Sequence, residues 1–440
     1  MQLGILGAGL AGISLAEALQ DDPELAGIEL LEKAPSAGGL ARSYAFGKLH
    51  YDCGPHIIFS KNAEVLDLMV DLLGANVRRL RRSNKIFHDG RLVKYPFENQ
   101  LSALCPADRD YCLSSFLENP YAGYTPQNML QFFLATFGEG ITNLYLRPYN
   151  EKIWKFDPAF IDTQMVERIP KPPAEDIIDG AKGNETEGHR HQLHFHYPKQ
   201  GGIQSLLQAF IDKLDEKVAI RLNAEVTQVE KSAGQWIVST ADGLQRRFDR
   251  LVSTIPLPQL VAALGASAPR QVADAAARLK FNSIALVALR VNNDNLGDDF
   301  VITIAERSIL FHRLTKLNFL SPPETGDGST SLLLEMTYRP GDPIDRLGDD
   351  ELTDRAVADL RRTGLIGADE EILAAELRRE EFAYVICDLE HRRNVETIRD
   401  WCEGELGIML HGRFGEFTYI NMDTVLQRSL ERCSQMKVLA

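Results

Sequence analysis

The chain has 440 residues, 44% of them hydrophobic and 25% charged, with a formal net charge of −14. Such a composition excludes wholesale disorder, and the length exceeds the roughly 250–300 residues at which a single core stops growing. The acidic balance argues against a general nucleic-acid binder, and no apolar run reaches the ~18 residues of a membrane span.

The start, Met1-Gln2-Leu3-Gly4-Ile5-Leu6-Gly7, lacks a basic leader and runs straight into glycines, so it does not read as a signal peptide. Six scattered cysteines without a CxxC pair suggest neither a zinc site nor a disulfide framework. Both features point to a reduced, cytoplasmic protein. Leu3 to Leu6 is too short for a helix and reads as a buried strand. Gly7-Ala8-Gly9-Leu10-Ala11-Gly12 follows, then helix formers from Ile13 to Leu19, then a second strand from Ile28 to Glu32. Residues 62–74 show an amphipathic helix ending at Gly74. Arg78-Arg79-Leu80-Arg81-Arg82 reads as a solvated basic rim. Residues 84–97 predict a hairpin turning at Asp89-Gly90. Residues 101–150 are mostly helical in pattern, and the proline-, glycine- and charge-rich stretch 169–191 reads as a long loop. The nearby histidines 189, 191, 194 and 196 lack a supporting carboxylate or cysteine pattern, so no metal is assigned. Gly201-Gly202 opens a helix over 203–214, and residues 218–252 predict several strands. Residues 281–291 and 331–338 are β-rich, and 350–363 and 369–378 look helical. An apolar strand from Gly407 to Leu410 and a final helix from about 423 close the chain. No internal repeat is visible.

The first glycine cluster is specific because its context is complete. A strand precedes it, a helix follows, and Glu32 stands 20 residues after Gly12 at the end of the second strand. Gly7 suits a tight turn, Gly9 close approach of a pyrophosphate, and Gly12 close packing of helix on strand. The helix N-terminus offers unpaired N–H groups to the phosphates. A carboxylate at Glu32 accepts from ribose hydroxyls and repels a 2′-phosphate, which disfavours NADP. Gly38-Gly39-Leu40-Ala41-Arg42-Ser43 suits a longer ligand, and no second GxGxxG provides an NAD(P)H domain. FAD is therefore the expected cofactor.

These residues resemble the flavoprotein group that includes amine oxidases, protoporphyrinogen oxidase and UDP-galactopyranose mutase. Four later segments resemble the mutases, and among them the eukaryotic type. They are Tyr51-Asp52-Cys53-Gly54-Pro55-His56-Ile57-Ile58-Phe59-Ser60; Leu146 to Trp154 followed by Glu167-Arg168-Ile169-Pro170; Phe311-His312-Arg313-Leu314-Thr315; and Gly412-Arg413-Phe414-Gly415 through Asp423. Pro55 departs from the small residue of the mutases, and the chain ends soon after Asp423, so their oligomer does not carry over. An oligomer is left open. The loop at 174–194 has no counterpart in the resemblance.

The resemblance implies a flavin-dependent sugar-nucleotide mutase that interconverts pyranose and furanose forms of a UDP-galactose-like substrate, through a covalent adduct of the sugar on N5 of reduced FAD. It places His56 beside the flavin and Arg168 and Arg313 on the diphosphate as catalytic residues. Tyr149, Trp154, Tyr338, Tyr384 and Tyr419 would bind the nucleotide sugar. Gly7, Gly9, Gly12, Glu32, Lys33, Gly39, Leu40, Arg42, Arg413 and Asp423 would hold FAD, although Asp423 reads equally well as a helix cap. Cys53 reads as packing. The alternative is an FAD-dependent oxidase or dehydrogenase of the amine oxidase or protoporphyrinogen oxidase type.

The expected fold class is α/β: a Rossmann-like FAD-binding domain built from separated segments, with a helical insertion and an antiparallel β-sheet domain. The expected boundaries are 1–78, 197–262 and 401–440 for the FAD-binding segments, 79–100 and 263–400 for the antiparallel sheet, and 101–196 for the helical part with its loop.

Overall fold

A computed structural model of the chain describes residues 1–167, 169, 171–184, 186, 193–321 and 328–438. The fold is mixed α/β, with one parallel and one largely antiparallel sheet at its centre. The strand Gln2–Leu6 lies in the middle of the parallel sheet, between Gly27–Leu31 and Arg250–Ser253. Val218–Arg221 and Ile408–Leu410 form its outer strands. Parallel strands buried on both faces need apolar side chains throughout. Leu3, Ile5, Leu6, Leu30 and Val252 supply them, all fully or almost fully buried.

The helix Leu10–Leu19 buries eight of its ten residues, so it is wedged between layers and does not lie on a surface. It packs against the C-terminal helix Met422–Val438, where the Ser14 and Ser429 hydroxyls meet at 2.8 Å. The second sheet has seven strands and is antiparallel except for the pairing of Val301–Ile304 with Asn84–His88. Arg313–Lys316 is its middle strand, next to Thr330–Tyr338, which pairs in turn with Lys280–Val291. The helix Asp349–Thr363 packs on one face of this sheet through Leu352, Ala356 and Leu360. On the other face lie the helices Met129–Ile141 and Arg147–Trp154, joined by a π-helical turn at Thr142–Leu146. Among the described residues no helix is long and apolar enough to cross a membrane.

Two local expectations are corrected. The stretch 169–191 is not all loop: Ala174–Lys182 is a helix. Pro173 precedes it, Glu175 and Asp176 fill its first turn, Lys182 its last, and Gly183 takes the left-handed conformation that ends it. Ile177, Gly180 and Ala181 are buried, with Gly180 against the backbone of Asn99. The residues 369–378 are not helical either, since Ile372–Ile386 is one 15-residue strand. Its helix formers yield to pairing with Lys280–Val291 along almost its whole length.

Candidate active site

A cavity of about 470 Å³ opens at the carboxyl end of the parallel sheet. The sheet and its glycine turns determine its shape. Gly7, Gly9, Glu32, Lys33, Gly39, Leu40 and Arg42 line one side. Gly12 lies behind them: a Cβ there would come within 2.2 Å of the Gly7 carbonyl, so only glycine lets the helix sit this close to the turn. Gly9 caps the helix Leu10–Leu19 without any side-chain bond, and Leu10 and Ala11 line the cavity. The first-turn N–H groups are thus left for a ligand, in the field of the helix dipole. Glu32 accepts from the N–H of Ala8 and of Ala34, both at 2.9 Å, which orients its carboxylate at the cavity end. Acidic acceptor, glycine cradle and open helix terminus form the donor and acceptor set that an adenine dinucleotide needs.

At the other end stand His56, Gly412, Arg413, Asn421 and Met422. The N-terminus of the helix Met422–Val438 opens here. Asp423 is not among the lining residues: its Oδ2 accepts from the Ser60 hydroxyl at 2.9 Å, a bond that ties the helix to the His56 segment. Arg413 donates from Nε to the Ile420 carbonyl at 2.8 Å, and its guanidinium lies 4.9 Å over the Tyr419 ring. Arg42 donates to Gly39 O and pairs with Glu380 at 3.6 Å. His56 is held by Nδ1 to the Gly54 carbonyl at 3.0 Å. Burial, with help from the charges of Arg413 and Arg313, lowers its pKa to about 4. The ring is therefore neutral near pH 7, with Nδ1–H donating and Nε2 left as an acceptor.

Gly54 connects this end to a second, polar cluster. Its φ of +81° suits glycine, and a Cβ there would lie 3.0 Å from both Arg313 Nη2 and Glu335 Oε2. Arg313 and the fully buried Glu335 form a two-pronged ion pair. Arg313 also reaches the Tyr384 hydroxyl at 3.4 Å. Burial lowers the pKa of the guanidinium, but Glu335 and the neighbouring tyrosines outweigh it and hold the pKa well above the ordinary value. Trp154 meets Tyr384 and Tyr419 edge to face, at 5.7 and 5.5 Å. Tyr149 stacks on Tyr145 at 5.4 Å. The structure thus gathers Tyr149, Trp154, Arg313, Tyr384 and Tyr419 beside His56 and Arg413.

Tyr338 does not join them. Glu335 faces the cluster, and alternation along Thr330–Tyr338 turns Tyr338 to the opposite face. There it packs with Leu334, Met336 and Leu360, with Arg379 5.5 Å over its ring. Its expected substrate role is corrected to packing. Arg168, His189 and His191 lie outside the described residues. Among the described residues no group of three or more His, Cys, Asp or Glu could hold a metal ion. Burial, followed by the nearby carboxylates Glu380 and Glu335, pushes the Cys53 thiol well up, in keeping with a packing role. Sequence reasoning missed Glu335, the partner of Arg313. Its signal was a lone carboxylate within the apolar run of residues 331–336.

Comparison with known proteins bears on this geometry. The model of the family of flavin containing amine oxidoreductases matches residues 10–378. Among solved structures, a reduced UDP-galactopyranose mutase superposes with a TM-score of 0.88 at 24% identity, covering 100% of this chain and 94% of that one. A protein assigned as a protoporphyrinogen oxidase, from Exiguobacterium sp. 255-15, gives 0.78 at 18% identity, covering 100% and 99%. A CLA-producing fatty acid isomerase from P. acnes gives 0.66 at 14%, covering 98% of each chain. At these identities the likeness is one of fold. The fold spans isomerases and oxidases, so the reaction has to be argued from the site.

Proposed function

The chain belongs to the family of flavin containing amine oxidoreductases, and on that footing we propose that it is a sugar-nucleotide mutase interconverting pyranose and furanose forms of a UDP-galactose-like substrate. Its cofactor is FAD. Glu32 would take the adenosine ribose, the turn at Gly7 to Gly12 the pyrophosphate, and the His56–Arg413 end the isoalloxazine. When bound and reduced, FAD supplies a nucleophile for covalent catalysis at the sugar, without net redox change.

One observation carries the reading: a half-buried arginine, set among tyrosines, lies just past the flavin end of the cavity. Arg313 spends Nε and Nη2 on Glu335, leaving its Nη1 edge for a ligand. A departing nucleoside diphosphate gains negative charge, and a preorganised guanidinium stabilises that charge most where water is excluded. The Tyr384 and Tyr419 hydroxyls can donate to the same oxygens, and Tyr149 and Trp154 offer flat apolar surface to the nucleotide. Arg168 is proposed as the second diphosphate arginine. An oxidase of apolar substrates would favour an apolar tunnel here.

The test is turnover under reduction. The anaerobically reduced protein, given UDP-galactofuranose, should release the pyranose form. No turnover with any nucleotide furanose, together with oxygen-dependent oxidation of an amine or a porphyrinogen, would overturn the mutase reading in favour of the oxidase.

A further inference from the structure

Arg79 and Arg81 are exposed, as a solvated basic rim requires, but Arg82 is not. The ladder of Val77–Arg81 with His194–Pro198 continues one step further, because the Arg82 N–H donates to the Leu193 carbonyl at 2.8 Å. Alternation in an extended chain then turns Arg82 to the side of the buried Leu80. Its Nε is buried without a hydrogen-bond partner. Among the described residues no carboxylate lies within ion-pairing distance of it.

The surroundings explain what such a guanidinium is for. Asn84, two residues on, also has a buried and unpartnered Oδ1. Asn84 and Ile86 share one face of the seven-stranded sheet. Ile86 pairs with Thr303, Thr303 with Arg313, and Arg313 with Glu335, and paired residues share a face. The Tyr145 hydroxyl meets Thr303 Oγ1 at 3.0 Å, which sets the Tyr145–Tyr149 stack over this same face. Burial lowers the pKa of Arg82, Tyr95 raises it, and the charge of Arg313, near enough to disfavour a second charge, lowers it again. Among the described residues the only carboxylate within ion-pairing reach of either, Glu335, is taken by Arg313. Two desolvated guanidiniums on one carboxylate are costly unless an anion completes the site.

We propose that Arg82 is a substrate-binding residue, a further guanidinium that acts with Arg313 on the diphosphate of the sugar nucleotide. The proposal rests on the sugar-nucleotide reading above and deepens it.

Calorimetric titration of the FAD-loaded, reduced protein with UDP and with uridine tests it. Arg82→Gln should weaken UDP at least about tenfold, leave uridine unchanged, and reduce the salt dependence of UDP binding. Arg82→Lys should recover part of the loss, because it keeps the charge without the planar fork. UDP binding by Arg82→Gln within about twofold of wild type would overturn the assignment and leave the proposed function standing. So would an equal loss of UDP and uridine binding, since that marks a merely structural role. A wild-type protein that binds neither UDP nor UDP-galactose would overturn the proposed function and the assignment with it. Flavin absorbance and melting temperature report on the fold of each variant. If Arg82→Gln does not fold, Arg82→Lys decides: several-fold weaker UDP with unchanged uridine supports the proposal, and unchanged UDP overturns it.

Discussion

Glu335 has no water to fall back on, so the Arg313 guanidinium is what makes its charge tolerable. Removing one side of a buried ion pair strands the other, at a cost of about 3–5 kcal/mol. Glu335→Gln should therefore lower unfolding free energy by that order in urea titrations, and a loss under about 1 kcal/mol would place the pair in solvent. Arg313→Ala is expected to cut turnover by about a hundredfold or more while the protein keeps its FAD, because in the proposed reaction the lost group would act on the leaving diphosphate and not on the flavin. A second residue-scale effect depends on pH. His411 is fully buried, with Nε2 on the Ser429 hydroxyl at 2.8 Å. Burial, reinforced by Arg432 and Arg428, lowers its pKa from 6.5 to about 3. Between those values the unfolded chain binds a proton that the folded chain refuses. Falling pH therefore favours unfolding, by about 1.4 kcal/mol per pH unit. His411→Gln has no such proton. Its stability deficit at pH 7 should narrow progressively below pH 6.5, and a deficit that stays constant down to pH 4.5 would refute the assignment of a neutral buried ring.

Elements were legible where their cause is local. The fingerprint from Leu3 to Glu32 contains its own strand, turn, helix and strand, and the helix Ala63–Leu73 carries its Asn62 cap and Gly74 terminator within the same stretch. The strand Ile372–Ile386 was not legible, because its partner lies some ninety residues upstream and its own composition favours helix. Tyr338 failed for a related reason. All nine residues of Thr330–Tyr338 are buried, so no polar alternation marks which face is which. The helix Ala174–Lys182 shows two effects in opposition. Alanine at Gly180 would favour helix by about 1 kcal/mol, but its Cβ would come within 2.6 Å of the Asn99 carbonyl oxygen. The obstacle is backbone and cannot rotate aside, so overpacking should win. Gly180→Ala is expected to destabilise by about 1–3 kcal/mol, measurable by denaturant titration, and a stabilised variant would show that this helix is loosely held.

For the whole molecule, the dinucleotide cavity is where distant parts of the chain meet. Its walls come from the first glycine turns, from Ala224 to Thr227, from Thr254 to Pro256, from Glu380 to Phe382, and from Gly412 to Val425. The parallel sheet beneath is likewise assembled from strands near residues 2–31, 218–253 and 408–410. A net charge of −14 does not oppose anionic ligands in such a site, because on the proposed reading the anions would be met by local groups: the open first turn of Leu10–Leu19, Arg42, Arg313 and Arg413. A ligand that touches every segment binds only when all are in place, so its binding energy adds to the folding of the whole. The stabilisation is about 2.7 kcal/mol when free FAD is a hundred times its dissociation constant. Protein stripped of FAD should melt at a lower temperature and recover as FAD is titrated back. It should also become open to proteolysis at the C-terminal helix, which forms one wall and packs on Leu10–Leu19. A melting temperature indifferent to FAD would mean that the segments are held by the protein core alone, with the cavity preformed whether or not the cofactor is there.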